Sequence, residues 1–274
     1  MNRTTRARGL RVLAAFLAAC VLAPASAPGA TLPPSHATKG GMISARAGDI
    51  SLNGYLSLPK GAGTHPGIIL VQEWWGLNDW MKQQADSLAA HGYVALAPDL
   101  YKGKVAYDEA TAHQLMSGLV PEEAIATLRA AAEFLRGRPD VRAQAIGVIG
   151  WCMGGAYAIR LAAADPGIRA CVMYYGAPLT DPKAIGGIQA AILGNFGAKD
   201  QGPSPEQVKQ FEAALRKAGK KVDFKIYPGA GHAFANENNP WGGYRPAAAK
   251  DAWTRTLAFL NRELKRASLP GKAG

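Results

Sequence analysis

The sequence predicts one α/β domain, a mostly parallel sheet with helices on both faces and an antiparallel hairpin at its edge. Three observations carry this. Short apolar runs alternate with helical patterns along most of the chain, and Gly or Pro closes several of the helical patterns. One junction, Gly150-Trp151-Cys152-Met153-Gly154-Gly155, has the form of a sharp elbow between a strand and a helix. At 274 residues the chain is long enough for one sizeable core.

Residues 1–30 stand apart from that pattern. Arg3, Arg6, Arg8 and Arg11 precede an apolar run from Val12 to Leu22, and Ala23-Pro24-Ala25-Ser26-Ala27 follows, the three regions of a secretory signal. The run is too short for a permanent membrane span. Leu17-Ala18-Ala19-Cys20 also resembles a lipobox, so two outcomes stay open, a cleaved soluble protein or a lipid anchor through Cys20. The expected location is periplasmic or secreted, with membrane attachment only if Cys20 is lipidated. Residues 31–41 read as a flexible tether, 42–267 as the folded domain and 268–274 as a tail.

Within the domain, Ile43 and Ala45, a Gly48-Asp49 turn, and alternating Ile50, Leu52, Leu56 and Leu58 predict the edge hairpin. Gly67-Ile68-Ile69-Leu70-Val71 is apolar throughout, as a central strand covered on both faces must be. Met81, Ala85 and Leu88 follow at helical spacing up to Gly92, and Tyr93 to Ala97 starts the next strand. A polar helix is expected around Asp108 to Leu119, covering the site. Pro121 opens another, with Ile125, Leu128, Ala132 and Leu135 on one stripe.

The strand from Ala145 to Ile149 leads into the elbow and its helix, Met153 to Ala164. Ala170 to Tyr174 and Ala190 to Gly194 are further buried strands. Ser204 and Gln207 form a capping box for a helix with Val208, Phe211 and Leu215 inside, and Val222 to Tyr227 alternates as a late strand. A closing helix runs from Arg245 to about Lys265, with Trp253, Leu257, Leu260 and Leu264 facing in. An elbow in the middle of such a series specifies the α/β-hydrolase arrangement.

Charge and cysteine use exclude several classes. The net charge is +11, and loss of residues 1–30, with four arginines and no acid, leaves +7. The remaining Lys and Arg are scattered without a basic stripe, which argues against nucleic-acid binding. No cysteine or histidine spacing suits zinc, and no cofactor or metal is expected. Cys171 lies in an apolar run and reads as a buried hydrophobe; it and Cys152 are expected to be free thiols.

The elbow places Cys152 where a nucleophile would stand, exposed above the sheet between glycines. In this arrangement an acid and then a histidine follow on loops leaving later strands. Asp200, after Gly194-Asn195-Phe196-Gly197-Ala198-Lys199, and His232, after Gly229-Ala230-Gly231, meet that order. Imidazole and the helix N-terminus would stabilise the thiolate, and Asp200 would fix the imidazole tautomer. The backbone N–H groups of Met153 and Trp74 are the natural oxyanion donors. Glu73, at the end of a central strand, is either a partner in a fold salt bridge or a contact of the thiol.

Five blocks in order resemble the dienelactone hydrolase (carboxymethylenebutenolidase) family: Gln72-Glu73-Trp74-Trp75-Gly76, Ala97-Pro98-Asp99-Leu100-Tyr101, the elbow hexapeptide, Asp200, and Gly231-His232-Ala233-Phe234-Ala235. The resemblance runs from about residue 42 to 265. It implies a Cys152-Asp200-His232 triad acting without a cofactor, with Glu73 holding the resting thiol. It also implies a pocket lined by Trp74, Trp75, Tyr101 and Phe234, although each could equally be a core or rim aromatic. The best-known members hold a substrate carboxylate with two arginines, one soon after the Asp-Leu-Tyr block and one shortly after the histidine. Here those stretches read Tyr101-Lys102-Gly103-Lys104 and His232-Ala233-Phe234-Ala235-Asn236, leaving Lys102 or Lys104 as a point charge without the bidentate fork.

The expected activity is therefore hydrolysis of small carboxylic esters or lactones by a monomer through an acyl-enzyme. Two other readings stay open: a thioesterase or peptidase on the same scaffold, and a non-catalytic envelope binding module that retains the pocket.

Overall fold

The structure is a computed structural model that describes residues 39–265. The expected secretory signal, lipid anchor and tail, and most of the tether, lie outside the described residues. Eight strands form one sheet: β1 (Gly41–Ala47), β2 (Ile50–Ser57), β3 (His65–Val71), β4 (Val94–Pro98), β5 (Val141–Trp151), β6 (Ile168–Tyr174), β7 (Ala191–Gly197) and β8 (Val222–Tyr227). Their order is β1-β2-β4-β3-β5-β6-β7-β8. β1 and β2 pair antiparallel, as β2 does with β4, and every other pairing is parallel. The α/β-hydrolase fold with its edge hairpin is thus as the sequence predicts.

The helices are α1 (Asp79–Ala90), α2 (Glu109–Ser117), α3 (Pro121–Arg136), α4 (Met153–Ala164), α5 (Pro182–Gly187), α6 (Pro205–Lys217) and α7 (Pro246–Leu260). Alternate residues of β3 explain their placement. Ile69 and Val71 belong to one buried cluster with Leu128 and Leu135 of α3 and Ile159 and Leu161 of α4, which continues along the same face to Phe211 and Leu215 of α6. Ile68 and Leu70 face Trp80, Met81 and Leu88 of α1 and Phe259 and Leu260 of α7. All four β3 side chains are completely buried. Each contributes about 1.5–3 kcal/mol of transfer free energy.

Three features stand out among the differences from the sequence-based expectation. β5 begins at Val141, because Arg142 and Gln144 hide an extension that pairs with His65 of β3. α5 has only six residues, too few for a periodic signal. The closing helix changes pitch, α7 ending at Leu260 and a π-helical turn continuing over Asn261–Lys265. Among the described residues no helix is long and apolar enough to cross a membrane.

The site follows from the topology. β3 has β4 on one side and β5 on the other, so the connections leaving β3 and β5 diverge at their C-terminal ends. Open α/β sheets bind their ligands in the crevice that this divergence creates. Among the described residues, four that are not glycine have positive φ: Lys102, Cys152, Tyr175 and Ala233. Each follows the C-terminal end of a parallel strand, and strained backbone of this kind, roughly 1–3 kcal/mol each, persists where the surroundings enforce it.

Candidate active site

Cys152 is the N-cap of α4 at φ 54° and ψ −121°. Its N–H donates to Tyr174 O at 3.0 Å, and its carbonyl accepts from Gly155 and Ala156 at 3.0 and 3.3 Å, so the turn is fastened on both sides. The neighbouring glycines are required by close approach. A β-carbon on Gly150 would stand 2.0 Å from Gly154 O, and one on Gly154 would stand 2.1 Å from Val71 O and 2.5 Å from Gln72 O. The start of α4 is thus pressed on the end of β3. That contact delivers Glu73 and Trp74 to the thiol's side of the sheet.

Asp200 and His232 leave β7 and β8 on loops tied together by Lys199 N–H donating to Ala230 O at 2.8 Å. His232 Nδ1 meets Asp200 Oδ2 at 2.9 Å, and Asp200 Oδ1 accepts from Gly202 N–H at 2.9 Å. The Asp200 side chain is 2 % exposed and that of His232 is 28 % exposed. Burial alone would lower the imidazole's proton affinity, but the charge of Cys152, its hydrogen bond and Asp200 outweigh it and hold His232 well above 6.5. With Nδ1 on the aspartate, Nε2 is left for the thiol.

The backbone N–H groups of Met153 and Trp74 have no acceptor among the described residues. Tyr101 is buried beside them, its hydroxyl donating to Met153 Sδ at 3.4 Å, and burial and then the Cys152 charge raise its pKa, which keeps it a phenol. Trp74, Trp75 and Trp241 form a triangle with ring centroids 5.1, 5.6 and 5.9 Å apart. α2 seats on it through Ala112, and Glu109 accepts from Trp241 Nε1. The expected covering helix is present.

Comparisons with known proteins identify the family. The model of the dienelactone hydrolase family matches residues 52–264. The chain belongs to the dienelactone hydrolase family. It is 32% identical to "Protein usf" of Aquifex pyrophilus over 232 residues, covering 82% of this chain and 99% of the relative. It is 34% identical to the "Putative carboxymethylenebutenolidase" of Salmonella typhimurium over 258 residues, 87% of this chain and 94% of the relative. The crystal structure of a "Putative Dienelactone Hydrolase" from Klebsiella pneumoniae superposes with a TM-score of 0.74 at 28% identity, covering 83% of this chain and all of that one.

Within this family member several side chains stand where the sequence did not place them. Glu73 makes neither a fold salt bridge nor a hydrogen bond to the thiol. Its Oε1 accepts from the Tyr175 hydroxyl at 3.2 Å and its Oε2 from Asn236 Nδ2 at 2.7 Å. Phe234, expected in the pocket lining, is completely buried and braces Tyr175 and Tyr227 at 5.5 and 5.1 Å. Trp75 is buried beneath α2. Lys102 is 82 % exposed and pairs with Glu123, so a carboxylate-binding role has no support from its position.

Tyr175, Asn236 and Trp241 were not singled out in the sequence. Tyr175 closes an apolar strand and looks like core, while Asn236 and Trp241 lie in a loop without periodicity. Cys171 is completely buried, and burial pushes its thiol up, out of reach of reaction. Among the described residues no three His, Cys, Asp or Glu side chains are grouped to hold a metal ion.

Burial raises the Glu73 carboxyl to about 7, with Glu237 adding to it and the bonds from Asn236 and Tyr175 and the His232 charge opposing it. An acid with its folded pKa above the unfolded value favours folding below the unfolded pKa of 4.5, and this contribution is lost as pH rises through about 7. Glu73→Gln is therefore expected to gain up to about 3 kcal/mol at high pH and little at low pH. Urea unfolding at two pH values checks this, and a gain independent of pH would contradict it.

Proposed function

We propose that the protein hydrolyses small carboxylic esters or lactones through a thioester formed on Cys152. The observation that carries the reading is the His232 Nδ1–Asp200 contact at 2.9 Å, with the raised proton affinity of an imidazole that faces the elbow cysteine. The thiolate attacks the carbonyl carbon, and the N–H groups of Met153 and Trp74 receive the oxyanion. Collapse breaks the ester C–O bond, and His232 Nε2 protonates the departing alkoxide. In a lactone the alcohol stays tethered. Neutral His232 then takes a proton from water, the hydroxide attacks the thioester, and the carboxylic acid leaves as thiolate and imidazolium re-form.

Asp200 stabilises the imidazolium and fixes which nitrogen faces the thiol. Asp200→Asn is expected to lower kcat roughly 10³–10⁴-fold with the fold intact by circular dichroism. An unchanged rate removes Asp200 from the mechanism.

The direct test offers a dienelactone and a simple aryl acetate to the purified protein, with Cys152→Ala as background. Turnover of both supports the family's chemistry without the carboxylate-binding arginines. Turnover of the aryl acetate alone places the natural substrate among other esters, and turnover of neither overturns the reading. The arginine-rich start, apolar run and small-residue segment of residues 1–30 support action in the periplasm or outside the cell.

A further inference from the structure

We propose that the pole of the sheet opposite the active site is a docking surface for an anionic lipid bilayer, holding the mouth of the site away from the membrane. Parallel strands all begin at one end, so cations scattered along the sequence are gathered there by the topology. Lys265 lies beside the start of β4, where its Nζ donates to His91 O at 2.7 Å. Arg142 and Arg169 are the second residues of β5 and β6. Lys217 closes α6, and Lys220 and Lys221 lead into β8. The row crosses the sheet from β4 to β8, roughly 24 Å at about 4.8 Å between strands.

Most of this charge is not neutralised. The carboxylates of that end are taken by other cations: Asp140 by Arg138, Asp165 by Arg136 and Asp223 by Arg255, while Glu263 is shared by Lys221 at 2.8 Å and Arg262 at 2.7 Å. Among the described residues no carboxylate pairs with Arg142, Arg169, Lys217, Lys220 or Lys265. Arg142 donates to Leu264 O, and Lys220 to Gly186 O and Ile188 O, bonds that orient the cations and leave their charge uncancelled. A cleft of about 340 Å³ opens among them, lined by Arg169, Gln189, Lys220, Lys221 and Glu263, with room for a lipid phosphate.

Further observations select a membrane among polyanions. β2 ends at this pole, since Ser57 pairs with Ala95 near the start of β4, and β1 begins there, since Gly41 pairs with Leu56. Residues 1–38, which carry the secretory-signal pattern and Cys20, therefore join the domain at its basic end. Leu58, directly after β2, is 51 % exposed at the same end, an apolar side chain for the lipid interface. The exposed aromatics Tyr107 and Trp241 instead lie beside α2, over the active site, so among the described residues the pole offers no exposed ring on which nucleic-acid bases could stack.

Cosedimentation of the full chain with vesicles tests this without ester turnover, so its outcome is separate from that of the proposed hydrolysis. Vesicles of phosphatidylglycerol mixed with phosphatidylcholine should bind it at least about tenfold more tightly than phosphatidylcholine alone, and high salt should remove the preference. The double variant Arg169→Gln, Lys217→Gln is expected to bind the anionic vesicles roughly 25-fold more weakly, at about fivefold per cation. Lys209→Gln, Lys250→Gln removes the same charge from the first halves of α6 and α7, nearer the catalytic end, and should stay within about twofold of the wild type. All four side chains are exposed, so neither pair should disturb the fold, and residues 1–30 are identical in both, so their own affinity for lipid cancels. Equal weakening by the two pairs would mean that net charge alone acts and would overturn the proposal. So would equal binding to both kinds of vesicle, or tighter binding to a single-stranded oligonucleotide than to the anionic vesicles.

Discussion

Cys152→Ala is expected to reduce kcat/KM for any accepted ester by roughly 10⁴–10⁶-fold, leaving only what binding and the oxyanion donors supply. Alanine keeps the β-carbon and loses the sulfur. The backbone at φ 54° is equally strained with either residue, and Cys152 is only half-buried, so the melting temperature should be nearly unchanged. Steady-state kinetics beside a thermal melt separates lost chemistry from lost fold. Activity within tenfold of the wild type, with the same melting curve, would mean that another group attacks the carbonyl.

The largest structural effect is expected at Gly154. An added β-carbon would meet Val71 O at 2.1 Å, Gln72 O at 2.5 Å and Val71 C at 2.6 Å, all backbone atoms of a central strand and its end. No side-chain rotation relieves such a clash. Gly154→Ala should therefore cost more than about 4 kcal/mol, a fall in melting temperature of about 10 °C or more, or no soluble protein at all. Gly186→Ala in α5, where a β-carbon meets nothing within 4 Å, is the control and should melt like the wild type. Equal melting temperatures for the two variants would contradict the close seating of α4 on β3, and with it the pairing of the Met153 and Trp74 N–H groups.

How far the sequence reveals this molecule depends on the range of each interaction. β3 is legible because burial on both faces demands an unbroken apolar run, and Ile68 to Val71 supply one. The elbow is legible because its glycines answer a clash within a few residues, Gly150 against Gly154. The helix cap at Ser204 and Gln207 is local in the same sense, and both of its hydrogen bonds form.

Glu73 is the opposite case. Its partners Tyr175 and Asn236 lie 102 and 163 residues away, and many side chains could have met it in the folded chain. In place of the salt bridge or the thiol contact that the sequence offered, Glu73 accepts two hydrogen bonds from neutral donors. Phe234 and Trp75 show the same limit, since an aromatic beside a site residue has equal composition whether it lines the pocket or braces its wall. The first part of β5 was obscured by Arg142 and Gln144, whose polarity belongs to the strand's exposed start and whose pairing only β3 could reveal.

The most direct test of the central claim is the mass of the protein's peptides after rapid acid quench during turnover of an aryl acetate. An acetyl group on the peptide that carries Cys152, absent from Cys152→Ala and accumulating in Asp200→Asn as deacylation slows, is the predicted result. Continued hydrolysis with no acetylated peptide, or with the acetyl group on another residue, would contradict it.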